Sequence, residues 1–249
     1  MPIAPFEQSF DPLPALFAEF TALLRSLTPE EEETPVPGMD WTAGEVGAHV
    51  LTVLHRYISP TERAVTRTRL TQLNAEDIAA LGKTTAEAAD ELDGIIAALA
   101  SVAPGLPLDT ERDFHLRLKV TVAAGWANLI GELLVHGDDI ARATSRQWTV
   151  DDALVEGIWR NLMPAVAGWM RPEARTANEL YLLRFSFGSV TLRIDSGLVH
   201  IDDERDADRS PDHVIDIDGA AEFTLQFPYR RRCIDDPIAA LLASRFTDI

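Results

Sequence analysis

Cysteine is almost missing from this chain. Cys233 is the one thiol among 249 residues, so no disulfide can close within it and a secreted, disulfide-stapled fold gains no support. Basic residues are scarce beside acidic ones, 22 against 40, and the net charge of −18 repels phosphate backbones, which sets aside a nucleic-acid clamp. No apolar run approaches the ~20 residues of a membrane-spanning helix. The opening stretch MPIAPFEQSFDPLP lacks the basic-then-apolar order of a secretory signal. A cytoplasmic protein with neither nucleic-acid nor membrane partners is therefore expected, as a monomer or homodimer. What is present, 46% hydrophobic and 25% charged residues, suits a globular protein with a real core, and the length allows two domains.

Helical periodicity dominates the first 150 residues. Leu16, Phe17, Phe20, Leu23, Leu24 and Leu27 form one stripe, predicting a helix over 13–27 that stops at Thr28-Pro29. The acidic, proline-bearing stretch from Glu30 to Gly38 reads as a loop. Thr42-Ala-Gly-Glu45 is a capping box that opens a second helix, expected to reach Leu70. A third spans 85–100, closed by Pro104-Gly105, and a fourth spans 116–143. Four amphipathic helices make a bundle the economical arrangement. One more helix follows from Asp151 to Met170, after which the period changes. Residues 181–187, 190–195, 198–202, 214–218 and 222–227 look like strands, with Ser196-Gly197 a tight hairpin turn and a short helix from Pro237 to Ser244. The expected fold class is thus two-domain: a four-helix bundle over 1–150, then a small α+β domain over 151–249 with a mainly antiparallel sheet.

Chemistry concentrates on the fourth helix. At 100° per residue, Thr121, Gly125, Asn128, Glu132, His136 and Asp139 share one narrow stripe, while the rest of the helix is almost wholly apolar. Such a helix is buried, so the polar stripe faces the interior or a cleft, where carboxylates and imidazoles need partners. Glu132 and His136 stand one turn apart and can reach a single ion; they can equally bond each other or a tyrosine. His49 sits on the apolar face of the second helix with Val46, Val50, Val53 and Tyr57. Two imidazoles and a carboxylate leave a fourth tetrahedral position open, the layout of catalytic rather than structural zinc.

Arg56 follows His49 by two turns on nearly the same face and is placed to meet a substrate carboxylate, unless it is a solvated helix end. His55 points about 120° away from His49 and is read as packing or exposed. His115, His200 and His213 are read as structural. Arg230, Arg231 and Arg232 make either an anion site or a surface cluster paired with the many carboxylates. Nothing near Cys233 in sequence lowers its pKa, so it is not expected to be a nucleophile.

Three stretches carry a family resemblance: Thr34-Pro-Val-Pro-Gly-Met-Asp-Trp-Thr42, Glu45-Val-Gly-Ala-His-Val50, and Gly131-Glu-Leu-Leu-Val-His-Gly-Asp-Asp-Ile-Ala141. They resemble the mycothiol-dependent maleylpyruvate isomerase family, whose first domain is a DinB-like four-helix bundle. The resemblance implies a metal triad at His49, Glu132 and His136. It extends by pattern into 151–249, which looks like the family's smaller sterol-carrier-protein-like domain. Where relatives carry a Gly-Arg pair near the last helix, this chain has Tyr229-Arg230-Arg231-Arg232.

The implied activity is that of a thiol-dependent metalloenzyme. A divalent metal, zinc first, binds the thiolate of mycothiol or a similar small thiol, whose free pKa of ~8.5 falls at an open metal site. The thiolate adds to a cis double bond, the resulting single bond rotates, and elimination gives the trans isomer. Relatives with this triad also transfer thiols to diverse electrophiles. Catalytic roles then fall to Arg56 and Arg231, and binding of the thiol cosubstrate to Arg230 and Arg232. Two other classes stand beside this one: a metal-dependent hydrolase that activates water at the open position, and a non-enzymatic, metal-stabilised ligand carrier.

Overall fold

The structure, a computed structural model, describes residues 9–59, 63–64, 66–202 and 204–247. Their packing defines two units: one takes in 9–122 and 129–149, the other 123–128 and the chain from Val150. The first is helical with one small hairpin, and the second holds a small sheet, so the chain is a mixed protein with a helical N-terminal region and a C-terminal sheet region.

In the first unit, helix α1 (Leu13–Arg25) buries Leu13, Phe17, Phe20 and Leu24 against α5 (Thr85–Val102). Between them lie α2 (Pro29–Glu32), α3 (Ala43–Ile58) and α4 (Arg67–Leu81). Threonine capping boxes open α2, α3 and α5. At α3 the Glu45 carboxylate accepts from the Thr42 N–H at 2.8 Å, and the Thr42 hydroxyl accepts from the Glu45 N–H at 3.3 Å. These bonds satisfy donors that a helix start leaves orphaned. The α2 turn replaces the loop expected from Glu30.

Two expectations for this region fail. The second helix does not run to Leu70; α3 stops at Ile58, Ser59 is extended at φ −128° and ψ 145°, and α4 starts afresh behind Thr66. Ser59 precedes Pro60, and a residue before proline is driven out of the helical region. Residues 60–62 and 65 of that expected helix lie outside the described residues, as do residues 1–8.

Strands also enter the first 150 residues. β1 (Glu111–Asp113) pairs antiparallel with β2 (Lys119–Thr121), and only then does α6 (Val122–Ala143) begin, six residues later than expected. Leu116 and Arg117 hold φ of 58° and 62°, which no α-helix admits. Two bonds pin this turn: Leu116 N–H donates to the Ala64 carbonyl at 2.7 Å, and Ala64 N–H donates to His115 Nδ1 at 3.0 Å.

The second unit starts its own helix at α7 (Asp152–Gly157), which loosens into a π turn over Ile158–Leu162 and a 3-10 segment over Met163–Trp169. The single helix expected to Met170 is thus irregular. Pro164 lacks the N–H that would continue the ladder. The sheet has the order β5-β4-β3-β6, built from β3 (Asn178–Phe185), β4 (Gly188–Asp195), β5 (Leu198–Ile201) and β6 (His213–Asp216). Its pairings are antiparallel except β3 with β6, which is parallel. Ser196 and Gly197 have φ of 52° and 79°, the double left-handed turn that two-residue hairpins require.

Residues 222–227 do not form a strand. They fall in α8 (Ala220–Gln226) and the residue after it, because the Asp152 carboxylate accepts from the N–H groups of Ala220 and Ala221 at 3.0 and 2.8 Å and caps the start. The closing α9 (Pro237–Ser244) is capped by Asp236 and lies where the sequence places it.

Candidate metal centre

Glu132 and His136 of α6 meet His49 of α3 inside the first unit. His49 and His136 are 6% and 7% exposed, so both rings leave bulk water almost completely, while the Glu132 side chain keeps 21% exposure. Glu132 Oε2 lies 3.6 Å from His49 Nε2 and 3.3 Å from His136 Nε2, and one ligand atom from each residue lies within 4.8 Å of the others. The imidazole rings meet edge to face, 4.9 Å between centroids and 82° between planes. Trp41, two residues beyond a tight turn, lays its ring 4.9 Å from His49 at 39°.

These separations are compatible with one ion held among the three side chains. Charge-assisted N–H···O bonds draw in to about 2.7–2.9 Å. Ligands held at about 2.0–2.1 Å around a tetrahedral ion stand roughly 3.3–3.4 Å apart, from the geometry of that polyhedron. The 3.3 Å separation matches that second spacing, and the 3.6 Å one is slightly wider. The donor set of two imidazole nitrogens and one carboxylate oxygen suits zinc, and three ligands leave one position for a reactant.

Electrostatics prepares the same site. Burial opposes the charged form of His136, but the Asp139 and Glu132 carboxylates override it and raise its pKa to about 9. Burial likewise disfavours the Glu132 anion, yet the two histidines hold it well below the usual carboxylate range. His49 is pushed down by burial against the pull of Glu132, with the charges of His136 and Arg56 adding to the fall. Without an ion the centre is therefore an anionic Glu132, a protonated His136 and a neutral His49.

The remaining sequence candidates distribute as follows. Arg56 is 6% exposed rather than a solvated end, and its Nε and Nη2 donate to Asp77 Oδ2 of α4 at 3.2 and 2.6 Å. His55 bonds Glu91 at 2.7 Å, partly exposed. His115 is buried with its Nδ1 accepting from the Ala64 N–H; burial, then the charges of Arg56 and Arg63, lower its pKa to about 4. His213 packs its ring on Tyr181 at 4.7 Å.

Arg230–Arg232 belong to the second unit. Arg230, at φ 57°, directs Nη2 to the carbonyls of Ala243 and Phe246 at the end of α9. Arg231 donates to the Tyr229 carbonyl at 3.2 Å, and Arg232 stands 3.6 Å from Glu222. Cys233 is exposed.

Asp139, also on the stripe, was given no role by sequence reasoning. It lies 3.2 Å from His136 Nδ1 through Oδ2, and its side chain is completely buried. The H-x-x-D spacing was the available signal, since residues three apart share a helix face.

Fold and site define a class: a helical domain with three clustered side chains that could hold a metal ion, followed by a small α+β unit. Residues 13–141 match the family described as the mycothiol maleylpyruvate isomerase N-terminal domain, and the chain belongs to that family. The match contains all three members of the triad. No curated protein and no solved structure matches the chain.

Proposed function

We propose that the protein is a divalent-metal enzyme, with zinc at His49, Glu132 and His136, that uses mycothiol or a similar small thiol as cosubstrate. Its substrate is a small, electrophilic, carboxylate-bearing molecule, and its reaction is isomerisation or S-transfer. The observation that carries this reading is the ligand spacing of 3.6 and 3.3 Å around one carboxylate oxygen, in a family whose name couples mycothiol to an isomerase.

When bound, the metal supplies a Lewis acid that lowers the pKa of a thiol below its free value of about 8.5. The chain's own residues do the rest. Glu132 brings the negative charge that holds a cation in a buried place, and neutral His49 offers a lone pair without first losing a proton. The apolar faces of α3 and α6 limit water around the nucleophile, which strengthens each charge interaction there.

Arg56, held by Asp77, contributes a fixed positive charge felt at His49. No helix among the described residues is long and apolar enough to cross a membrane; we assign the enzyme to the cytoplasm, as a monomer or homodimer acting on small molecules.

The test is product formation by the metal-loaded protein from a panel of electrophiles, with and without mycothiol, read by mass spectrometry. Thiol-dependent turnover supports the proposal; equal turnover without thiol points to a hydrolase. Elemental analysis should find about one equivalent of divalent metal, mostly lost in His136→Ala. Unchanged metal content in both His49→Ala and His136→Ala refutes the ligand assignment.

A further inference from the structure

We propose that Asp139 is the positioning residue of the metal centre, selecting the nitrogen that His136 presents to the ion and fixing the plane of its ring. The inference rests on the metal reading above and adds a division of labour between the two histidines.

A neutral imidazole carries one N–H and one lone pair, and the partner of the first decides where the second points. In His136, Nδ1 faces Asp139 Oδ2 at 3.2 Å, while Nε2 faces Glu132 at 3.3 Å. A carboxylate can only accept, so Nδ1 keeps its proton towards Asp139; an ion that displaces the proton between Nε2 and Glu132 then meets the Nε2 lone pair. Both side chains leave α6 on one face three residues apart, so the helix itself sets their geometry. Asp139 is fully buried, and burying a carboxylate is costly without bonded partners. A negative group behind the ring also raises the basicity of the ligating nitrogen.

His49 is built differently. Its Nδ1 has no hydrogen-bond partner among the described residues, and the ring instead packs on Trp41. At the nitrogen turned away from Glu132, one imidazole is braced by a hydrogen bond and the other by packing. His136 is thereby the ligand of fixed tautomer and direction, and His49 the ligand whose ring adjusts when the ion or a reactant binds.

The experiment compares zinc affinity, by chelator competition, in the wild-type protein, Asp139→Asn, Asp139→Ala and His136→Ala. Asparagine keeps an acceptor oxygen but loses the charge; alanine loses both. Partners of this kind change metal affinity by roughly 10- to 100-fold. The expected order is wild type, then Asp139→Asn weaker by about tenfold, then Asp139→Ala weaker by up to about 100-fold, with far-UV circular dichroism of Asp139→Asn unchanged.

A long-range 1H–15N spectrum of the zinc-loaded wild type supplies a readout that a merely structural role would not move. It should show His136 protonated at Nδ1 and ligated through Nε2, with the Nδ1–H signal shifted in Asp139→Asn. Ligation through Nδ1, or an Asp139→Ala affinity within twofold of wild type, overturns this inference while leaving the metal reading intact. A wild-type protein that takes up no zinc overturns both.

Discussion

Acidity should act on this protein with opposite sign in its metal-free and metal-loaded forms. In the free form His136 is raised to about 9 against an unfolded value of about 6.5. A raised histidine contributes stability that is fully present below 6.5 and is lost as pH climbs through 9. At about 1.36 kcal/mol per unit, the interval corresponds to roughly 3 kcal/mol.

A divalent ion needs the Nε2 lone pair and must expel that proton, whereas Glu132 is already ionised and His49 already neutral. Binding should therefore release close to one proton at pH 7, and apparent affinity should rise about tenfold per pH unit until it levels near 9. From pH 6.5 to 8.5 the gain is about 100-fold, or about 2.7 kcal/mol. Chelator-competition titrations across that range give the slope, and calorimetry in buffers of different ionisation enthalpy counts the protons. The melting-temperature gap between loaded and free protein should widen as pH rises. A flat affinity over this window, or release of two protons, would show that His136 does not hold the proton the geometry places on it.

Three further outcomes are expected. Gly137→Ala places a Cβ 2.2 Å from Trp148 Cε2 and 2.3 Å from its Nε1, in a ring also packed edge-on against Phe20. Overpacking of about 1–3 kcal/mol should exceed the roughly 1 kcal/mol that alanine returns to a helix, so urea denaturation should show a net loss, and a more stable variant would refute the packing. His115, lowered to about 4, supports the fold above its unfolded value of about 6.5 and gives up that support as pH falls towards 4. The cost is roughly 3 kcal/mol, so His115→Gln should flatten the acid limb of a stability curve; an unchanged limb argues against a buried neutral ring. Arg231→Ala should leave metal content intact, because Arg231 belongs to the unit that lacks the three ligands, and loss of metal by elemental analysis would refute the ligand assignment.

The sequence made helix identity plain and helix ends obscure, for reasons that differ from place to place. The stop at Ile58 was legible, because Ser59 precedes a proline, but the apolar spacing beyond it suggested continuity. The hairpin from Glu111 to Thr121 was not legible. Its strands are three residues each, mostly charged, and its turn uses left-handed Leu116 and Arg117 where a reader looks for glycine. The α8 helix was ambiguous, since Phe223, Leu225 and Phe227 alternate as a strand would. What settles it is Asp152, some 70 residues earlier, capping the first turn, and no local pattern announces a cap from so far away.

The cluster survived these errors because it depends on helix phase and not on helix length. His49 stands nine residues before the end of α3, and Glu132 ten residues after the start of α6. Misplacing either end adds or removes turns without rotating the side chains between, so His49, Glu132 and His136 converge whichever boundary is drawn. Partners that depend on loop geometry have no such protection. Arg56 sits in the last turn of α3, and its charge is committed to Asp77 because α4 turns back after the break at Ser59. Asp139 shows the converse: deep inside α6, it was fixed on the right face by phase alone, and only its distance to Nδ1 was needed to give it a part in the site. Chemistry carried on uninterrupted helix can be read from spacing, while chemistry carried at a helix end has to wait for the chain's path.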